Sequence, residues 1–163
     1  MFPNQKKIII GCDPDANKSG FAFFIGDELK HLECMSLIHF YSYLLDCNLP
    51  TITFKNVELH IENLNGISSN AFSIKGRDPL PVKLKKAEHV GKCKQVQIEI
   101  ERIAERFGIK VVRHGVSKMW KDSKIGKAAL ADLGWNGQSN EDGRSAAYFG
   151  YLGVKLSKTK NNT

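Results

Sequence analysis

Carboxylates stand where predicted secondary-structure elements begin or end. Asp13 closes an apolar run that begins at Ile8, and Glu62 closes the alternating segment VELHIE. A third acidic group, the pair Glu141 and Asp142, opens a helical segment near the end of the chain. A buried carboxylate is costly unless a cation compensates its charge, and Mg²⁺ and Mn²⁺ prefer carboxylate oxygens and water as ligands. Two such ions about 4 Å apart, beside a basic surface, would activate water for phosphodiester hydrolysis, and the acids taken together predict a site of that kind. Taken singly, Asp13 could be a structural aspartate with satisfied hydrogen bonds, and Glu62 an ordinary residue at a strand end.

The two strands that end in Asp13 and Glu62 are expected to lie side by side. Residues 7–13 and 57–62 both have the pattern of buried strands. A right-handed crossover would make them parallel neighbours, so that both acids emerge at the same edge of the sheet. Ligand sites in open α/β sheets collect at this edge. Glu141 and Asp142 also have a simpler explanation, because the helix dipole favours acids in a first turn.

The order of elements predicts one α/β domain over residues 1–156 and a polar basic tail over 157–163. Predicted strands occupy 7–13, 20–25, 29–36, 57–62 and 109–113, and predicted helical segments occupy 37–47, 83–107, 116–133 and 140–156. Short turns make the first three strands antiparallel, and the helix–strand alternation that follows makes the others parallel. We therefore expect a mixed five-stranded sheet flanked by helices.

Positive charge is concentrated in the middle of the sequence. The formal net charge is +7, and residues 75–127 contain 15 Lys and Arg against 6 Asp and Glu. Such a segment favours a polyanionic partner, nucleic acid above all, with lysines on a solvated surface as the alternative. The 42% of hydrophobic and 25% of charged residues are typical of a globular protein and argue against a disordered or membrane chain.

The sequence shows no signal for export or for a membrane span. Its apolar runs are far shorter than the roughly 20 residues that a span requires. The first residues, MFPNQKK, lack the apolar core of a signal peptide. We therefore expect a cytoplasmic, non-secreted protein, associated with DNA if it binds nucleic acid. The four cysteines have no CxxC spacing and are expected to be reduced, small, buried apolar residues.

Four segments resemble the RuvC-type Holliday junction resolvases of the ribonuclease H-like superfamily. IIIGCDPDANKSGFAFF is similar to their first strand–turn–strand, with the pattern G-x-D-P-G-x-x-x-T-G, and VELHIENLN to their strand that ends in glutamate. VVRHGVSKMWK resembles their strand leading into a lysine-bearing helix, and NEDGRSAAYFGYLG their last, acidic helix. The resemblance, which covers nearly the whole chain, implies a ribonuclease H-like fold. It also implies a homodimeric endonuclease that uses two Mg²⁺ or Mn²⁺ ions to cut four-way DNA junctions, leaving 5′-phosphate and 3′-hydroxyl ends.

The resemblance assigns catalytic, metal-binding roles to individual acids. Asp13 and Glu62 match the first two carboxylates of the family. The third falls on Glu141 or Asp142, which point about 100° apart on a helix, and Asp142 is favoured.

The chain departs from the family pattern at two places. Members commonly carry a further acid one helical turn after the third, where this chain has Arg144 and Ser145. Asp15 replaces the usual glycine and is either an additional acid near the metal or a turn residue. Both departures affect how many metal ions the site can bind and whether the enzyme can be fully active. Three histidines are expected to be structural or surface residues rather than ligands: His60, His89 and His114.

A long loop over residues 63–81 combines apolar and basic residues in a way that suits branched DNA. Phe72 is a candidate wedge at an unpaired base, with packing back onto the domain as an equal alternative. Basic residues in the loop and just after it are candidates for contacts to DNA phosphates. They are Lys75, Arg77, Lys83, Lys85 and Lys86.

Lysines at every third position, from residue 118 onwards, predict a basic stripe along a helix. These are Lys118, Lys121, Lys124 and Lys127. The resemblance implies a lysine that faces the phosphate in this region, with Lys118 or Lys121 as the candidate. We take Lys118 as the catalytic lysine and Lys121 and Lys124 as DNA contacts.

The sequence leaves three alternative functions, and the length of the chain argues against the first. An ATPase of the actin or sugar-kinase type also has an aspartate at a strand end before a glycine hairpin, but those folds need two lobes, for which 163 residues leave no room. A junction-binding module with weak or no cleavage is favoured by the missing fourth acid. A ribonuclease H-like nuclease acting on RNA–DNA hybrids or flaps would keep the fold and change the substrate.

Overall fold

The fold is built on a mixed sheet whose strands and helices bring distant acidic residues together. In the computed structural model, which describes residues 6–47, 54–67 and 76–161, the strands are β1 (Ile8–Asp13), β2 (Ser19–Ile25), β3 (Glu28–Met35), β4 (Val57–Glu62) and β5 (Lys110–His114). The helices are α1 (Leu37–Cys47), α2 (Leu80–Arg106), α3 (Ser123–Asp132) and α4 (Glu141–Asn161), and a short 3-10 helix covers Phe54–Asn56.

The order of the strands across the sheet is β3-β2-β1-β4-β5. β2 pairs antiparallel with both β1 and β3, whereas β4 is parallel to both β1 and β5. The predicted mixed five-stranded sheet is therefore confirmed, and each strand begins and ends within one residue of its predicted bounds. β1 and β4 are the central parallel neighbours.

Alternate residues of the strands face two separate apolar layers. On one face, Ile10 packs with residues of α1 and α2, including Ile100. On the other face, Ile9 packs with residues of α3 and α4, including Ala147. Each fully buried aliphatic side chain contributes roughly 1.5–3 kcal/mol. The apolar stripe of α2 around Ile100 is thus part of the core rather than a free surface.

α4 lies directly against the backbone of β1 and β2. A Cβ atom at Gly11 would lie 2.0 Å from the carbonyl oxygen of Ala146, and one at Gly20 would lie 2.2 Å from that of Asp142. Only glycine permits such an approach. The two glycines therefore determine how close the first turns of α4 come to the end of β1.

The segment between β5 and α3 differs from its prediction. Residues 116–133 were expected to be mostly helical, but α3 begins at Ser123. Trp120 has a positive φ of 64°, which interrupts any helix before it. Asp122 then caps α3, because its Oδ1 accepts a hydrogen bond from the N–H of Ile125 at 2.9 Å. The predicted stripe of four lysines is consequently wrong: within this stretch, Lys124 and Lys127 lie on α3, whereas the other two precede it.

Two helices extend beyond their predicted bounds. α2 begins at Leu80 rather than at residue 83, since Pro81 is tolerated in a first helical turn. α4 continues to Asn161, so residues 157–161 of the predicted tail are helical. Ser157 accepts a hydrogen bond from Lys7 Nζ at 2.9 Å and thereby ties this end of α4 to the sheet. No helix in the described ranges is both long and apolar enough to cross a membrane.

Candidate active site

Asp13 and Glu62 lie next to each other at the carboxyl ends of the two central parallel strands. The residues just before them, Cys12 and Ile61, are paired in register. Both acidic residues are buried, with relative exposures of 4% and 2%. Because a buried carboxylate without a partner is costly, the surroundings must supply compensating charge or hydrogen bonds.

The segment between β5 and α3 supplies both a compensating positive charge and a hydrogen bond to these carboxylates. Lys121 Nζ lies 3.1 Å from Asp13 Oδ2 and 4.0 Å from Glu62 Oε2. The backbone N–H of Ser117 donates a hydrogen bond to Glu62 Oε1 at 3.1 Å. Of the two candidate lysines, Lys121 is therefore the one paired with the carboxylates. Lys118 is exposed and lines the same cleft.

Burial and the close approach of these charged side chains shift the pKa values of Glu62 and Lys121. Burial, and after it the negative charge of Asp13, raises the pKa of Glu62 to about 7. Burial alone would lower the pKa of Lys121, but the negative charges of Asp13 and Glu62 outweigh it and raise that pKa. Lys121 is therefore charged at neutral pH, whereas Glu62 exchanges its proton near neutrality. A further cation beside these groups would favour the ionised carboxylates.

α4 contributes a third acid from its first turn. Asn140 caps the helix, because its Oδ1 accepts a hydrogen bond from the N–H of Gly143 at 2.8 Å. Asp142 is half-buried, and burial followed by the charge of Asp13 raises its pKa to about 6. Glu141 is exposed. Asp142 is thus the less exposed member of the pair, and the charge of Asp13 acts on it.

The acidic residues and lysines described above line one cleft with a volume of about 680 Å³. Acidic residues outnumber basic ones along its walls. Bound cations must therefore compensate the negative charge of the cleft before a polyanion can approach. The acids are Asp13, Asp15, Glu62, Asp122, Glu141 and Asp142, and the lysines are Lys118 and Lys121.

Arg144 and Ser145, which stand where the resemblance leads one to expect a further acid, are both buried. The guanidinium of Arg144 donates hydrogen bonds to three backbone carbonyl oxygens, those of Trp120 (3.1 Å), Ser139 (3.2 Å) and Lys121 (2.7 Å). Ser145 Oγ has no hydrogen-bond partner among the described residues. Arg144 therefore fixes the backbone that carries Lys121.

The carboxylates fit a hard divalent cation. Asp13 Oδ2 is buried and accepts no hydrogen bond of regular geometry from the described residues, although Lys121 is close to it. Together with Glu62 and Asp142 it forms a set of oxygen donors, the type that Mg²⁺ and Mn²⁺ prefer. The residues present are therefore compatible with the predicted metal.

The residues predicted to contact DNA differ in their surroundings. Phe72 and Lys75 lie outside the described residues. Three of the others are exposed and accessible to a ligand: Arg77, Lys85 and Lys124.

Two further predicted DNA contacts have partners within the protein. Lys83 Nζ donates a hydrogen bond to the carbonyl oxygen of Gly76 at 2.9 Å. Lys86 Nζ lies 2.8 Å from Asp78 Oδ2. Both lysines therefore hold the end of the preceding loop against the first turns of α2.

Sequence reasoning missed Gln97, a buried residue of α2 that positions the chain after Glu62. Its Oε1 accepts hydrogen bonds from the backbone N–H groups of Leu64 at 2.7 Å and Asn65 at 3.1 Å. Its Nε2 donates to Glu101 Oε1 at 2.8 Å. The available signal was a glutamine on the apolar side of an amphipathic helix.

The sequence matches no family model and no curated protein. Its fold, however, is similar to solved structures. T. thermophilus RuvC in complex with Holliday junction substrate aligns with a TM-score of 0.62 and 11% sequence identity, covering 93% of this chain and 96% of that one. The Thermus thermophilus RuvC structure aligns with a TM-score of 0.59 and 12% identity, covering 94% and 96%. The chain therefore has the ribonuclease H-like fold of RuvC, as the resemblance predicts. Function must still be argued from the site.

Proposed function

We propose that this chain is a metal-dependent endonuclease that cleaves four-way DNA junctions. The observation that carries the proposal is the convergence of Asp13, Glu62 and Asp142 in one cleft that also contains Lys121. Phosphodiester hydrolysis requires oxygen ligands for a metal and a positive group near the phosphate, and the cleft has both. The RuvC-like fold and the chemistry of the cleft therefore support the same activity.

Three carboxylates hold the metal in this proposal. Asp13, Glu62 and Asp142 bind Mg²⁺ or Mn²⁺, two ions in all. When bound, the ions supply Lewis-acid activation of water and neutralise charge on the departing 3′-oxygen. Asp142 is preferred over Glu141 because burial and the nearby Asp13 raise its pKa, whereas Glu141 is exposed.

Lys121 interacts with the substrate in this proposal. Its ammonium group donates hydrogen bonds to a non-bridging oxygen of the scissile phosphate and stabilises the charge that develops there. Hydrolysis consumes one water molecule, whose oxygen forms a bond to phosphorus while the bond from phosphorus to the 3′-oxygen breaks. The attacking water gives up a proton to solvent and the 3′-oxygen takes one up, which leaves a 5′-phosphate and a 3′-hydroxyl. Lys118, in the wall of the same cleft, is the second candidate for this role.

Basic residues outside the cleft hold the arms of the junction. Arg77, Lys83, Lys85 and Lys86 lie at or just before the start of α2, and Lys124 lies at the start of α3. Phe72 and Lys75 remain predictions, as a base wedge and a phosphate contact. Such residues recognise phosphates and shape rather than base sequence, which suits a branched substrate. An enzyme of this kind acts where cellular DNA is, so the proposal implies a DNA-associated, cytoplasmic location.

A second copy of the chain is part of the proposal. A four-way junction is nearly two-fold symmetric, so two opposed cuts require two related active sites. The first turns of α2 expose three large apolar side chains, Leu80, Val82 and Leu84, with relative exposures of 67%, 41% and 61%. Because Leu80 and Leu84 are four residues apart, they share one face of the helix. We assign this face to the homodimer interface.

A junction-binding module with little or no cleavage is the second candidate function. Arg144 occupies one of the positions where a further acid was expected, and its guanidinium is bound to backbone carbonyl oxygens. One carboxylate fewer weakens the hold on a second ion. This candidate therefore predicts tight junction binding without cutting.

Cleavage of a synthetic four-way junction distinguishes the candidates. With Mg²⁺ or Mn²⁺ the protein should cut opposed strands, chelation by EDTA should stop cutting, and RNA–DNA hybrid and flap substrates should be cut more slowly. Asp13→Asn and Glu62→Gln should each lower the rate by about 100-fold or more but retain junction binding, since even outer partners of metal ligands are worth about 10–100-fold. Asp27→Asn, at an exposed turn, is the matched control.

Each other outcome contradicts a particular part of the proposal. Variants of Asp13 and Glu62 that cut at the wild-type rate would show that the site is wrong. Junction binding without any metal-dependent cutting would establish the binding module instead. Faster cutting of hybrids or flaps would support the nuclease activity but show that four-way junctions are not the preferred substrate.

A further inference from the structure

A second group of metal-ligating side chains lies in the same cleft but uses different residues. Asp15 follows β1, and His89 and Cys93 are four residues apart on one face of α2. One ligand atom from each of the three lies within 4.8 Å of the others. His89 Nε2 is 3.6 Å from Cys93 Sγ and 3.7 Å from Asp15 Oδ2.

These separations are close to those around a tetrahedral zinc ion. With Zn–S and Zn–N bonds of about 2.3 and 2.0 Å, a sulfur and a nitrogen ligand lie about 3.6 Å apart, and a nitrogen and an oxygen ligand about 3.3 Å apart. The measured distances of 3.6 and 3.7 Å differ from these values by a few tenths of an ångström at most. The ligand atoms of Asp15 and Cys93 lie within 4.8 Å of each other, so side-chain rotation that closes this third separation would complete the coordination.

Neighbouring backbone groups orient two of the three ligands. Asp15 Oδ1 accepts a hydrogen bond from the N–H of Asn17 at 3.0 Å, and the other oxygen, Oδ2, is the one near His89. Burial, and after it the charge of Asp15, raises the pKa of Cys93, while the backbone N–H of Ala16 interacts with its sulfur and opposes that rise; a metal cation would favour the thiolate. Hydrogen bonds of this kind to ligand atoms orient metal ligands and tune their affinity.

The donor set selects a different metal from the carboxylate group. A thiolate and an imidazole are soft ligands that favour Zn²⁺ over Mg²⁺. Three protein ligands leave one tetrahedral position for water or another ligand. Since all three residues line the cleft, this position is available to a molecule bound there.

We propose that Asp15, His89 and Cys93 bind one Zn²⁺ ion, at a site distinct from the carboxylates of Asp13, Glu62 and Asp142. The ion adds positive charge to the wall of an acidic cleft, and its free position accepts an oxygen of a DNA phosphate. The zinc site itself does not depend on the proposed nuclease activity. Its role toward DNA rests on the proposed function.

Titration with Co²⁺, a spectroscopic substitute for Zn²⁺, tests the site directly. We expect one equivalent to produce a thiolate-to-cobalt charge-transfer band in the near ultraviolet together with intense visible bands of tetrahedral Co²⁺. Zn²⁺ should abolish these bands, and excess Mg²⁺ should leave them unchanged. Cys93→Ala should remove the charge-transfer band. His89→Gln, at an exposed position of α2, should lower Co²⁺ affinity by about tenfold or more.

Two controls separate this site from others in the chain. Cys47→Ala, which removes a cysteine at the end of α1, and Asp13→Asn should both retain the cobalt spectrum. Absence of the bands in the wild-type protein, or their persistence in both Cys93→Ala and His89→Gln, would overturn the zinc site. A normal cobalt spectrum in a protein that cuts no junction would instead overturn the nuclease proposal alone.

Junction binding tests the role of the ion toward DNA. With Asp13→Asn as the non-cutting background, one equivalent of Zn²⁺ should tighten binding about tenfold, because the ion both neutralises acids and binds a phosphate oxygen. The additional change Cys93→Ala should remove this effect. Equal affinity with and without Zn²⁺ would overturn the phosphate contact.

Discussion

Lys121 and Asp13 form an ion pair at the end of β1, with Nζ 3.1 Å from Oδ2. The same oxygen accepts no hydrogen bond of regular geometry from the described residues. Lys121 therefore compensates the charge of Asp13, while Oδ2 of Asp13 keeps capacity to accept a further bond. A lysine that pairs with a proposed metal ligand competes with the metal for the same negative charge.

Replacing Lys121 by methionine should separate metal binding from cleavage. Without the ammonium group, Mn²⁺ should bind about tenfold more tightly, because a nearby positive charge no longer repels it. Junction cleavage should nevertheless fall by about 10²–10³-fold, since a donor to the scissile phosphate is lost. Electron paramagnetic resonance measures the first effect and single-turnover cleavage the second. Lys55→Met, at an exposed position of the 3-10 helix, is the control. Wild-type cleavage by Lys121→Met would exclude its role at the phosphate.

Arg144 is expected to act as a positioning residue. Its bonds to the carbonyl oxygens of Trp120 and Lys121 hold the segment that carries the ammonium group. Arg144→Met should lower cleavage by about tenfold or more and change the emission of Trp120, measured with Trp135→Phe in the background. Arg144→Lys should restore the cleavage rate and the Trp120 emission only in part, because an ammonium lacks the planar fork of a guanidinium. Unchanged emission and cleavage in Arg144→Met would contradict this role.

Gly20, which lies against the backbone of α4, should be far more sensitive to an added methyl group than Gly91, which has open space around it. A Cβ at Gly20 overlaps the carbonyl oxygen of Asp142, so Gly20→Ala should lower the free energy of unfolding by about 1–3 kcal/mol and weaken metal binding. Gly91 is the matched control, because an added Cβ there meets nothing within 4 Å. Gly91→Ala should raise the free energy of unfolding by about 0.5–1 kcal/mol, as expected inside a helix. Equal effects of the two changes in urea denaturation would rule out the close approach.

Glu58 should stabilise the sheet in a pH-dependent way. Burial alone would raise its pKa, but hydrogen bonds from Lys7, His60 and Lys110 outweigh it and lower the pKa from 4.5 to about 2. A carboxyl group whose pKa is lower in the folded than in the unfolded protein stabilises the fold at pH values above its unfolded pKa. This contribution is lost as the pH falls through the folded pKa. Glu58→Gln should therefore be less stable than wild type by about 1–3 kcal/mol at pH 7, and the difference should shrink between pH 4.5 and 2.

Urea denaturation across this pH range measures the effect of Glu58. The exposed Glu105 on α2 offers a control, since Glu105→Gln should change the free energy of unfolding little. A Glu58→Gln difference that stays constant down to pH 3 would show that the three hydrogen bonds do not determine its stability.

The first turns of α2 should form the homodimer interface. Leu84→Glu places a charge in the proposed apolar contact and should convert a dimer into a monomer that keeps its fold, as seen by light scattering and circular dichroism. Leu156→Glu, at another exposed leucine on α4, should remain dimeric. A monomeric wild-type protein, or a dimer that survives Leu84→Glu combined with Leu80→Glu, would overturn this interface.

The sheet was predictable because its signals are local. The run before Asp13 and the alternation before Glu62 both indicate strands, and the handedness of crossovers makes the two strands parallel neighbours. These rules place both acids at one edge without any knowledge of side-chain contacts. The approach of Asp142 to them is not local, because it depends on the glycine contact between α4 and β2.

The failures came from contacts between residues far apart in sequence. The spacing of Lys118 and Lys121 is compatible with a helix, but Arg144, more than twenty residues later, holds this segment in another conformation. Periodicity describes what a segment can form alone, and tertiary hydrogen bonds then decide between the alternatives.

α4 begins at the acidic cleft and ends beside the turn between β2 and β3, where Lys158 Nζ lies 3.1 Å from Asp27 Oδ2. At about 1.5 Å per residue, its 21 residues span roughly 30 Å. A fluorophore attached near this far end would sit well away from the chemistry while remaining rigidly connected to it. Energy transfer to a dye on one arm of a bound junction would then report the opening and closing of the substrate in real time.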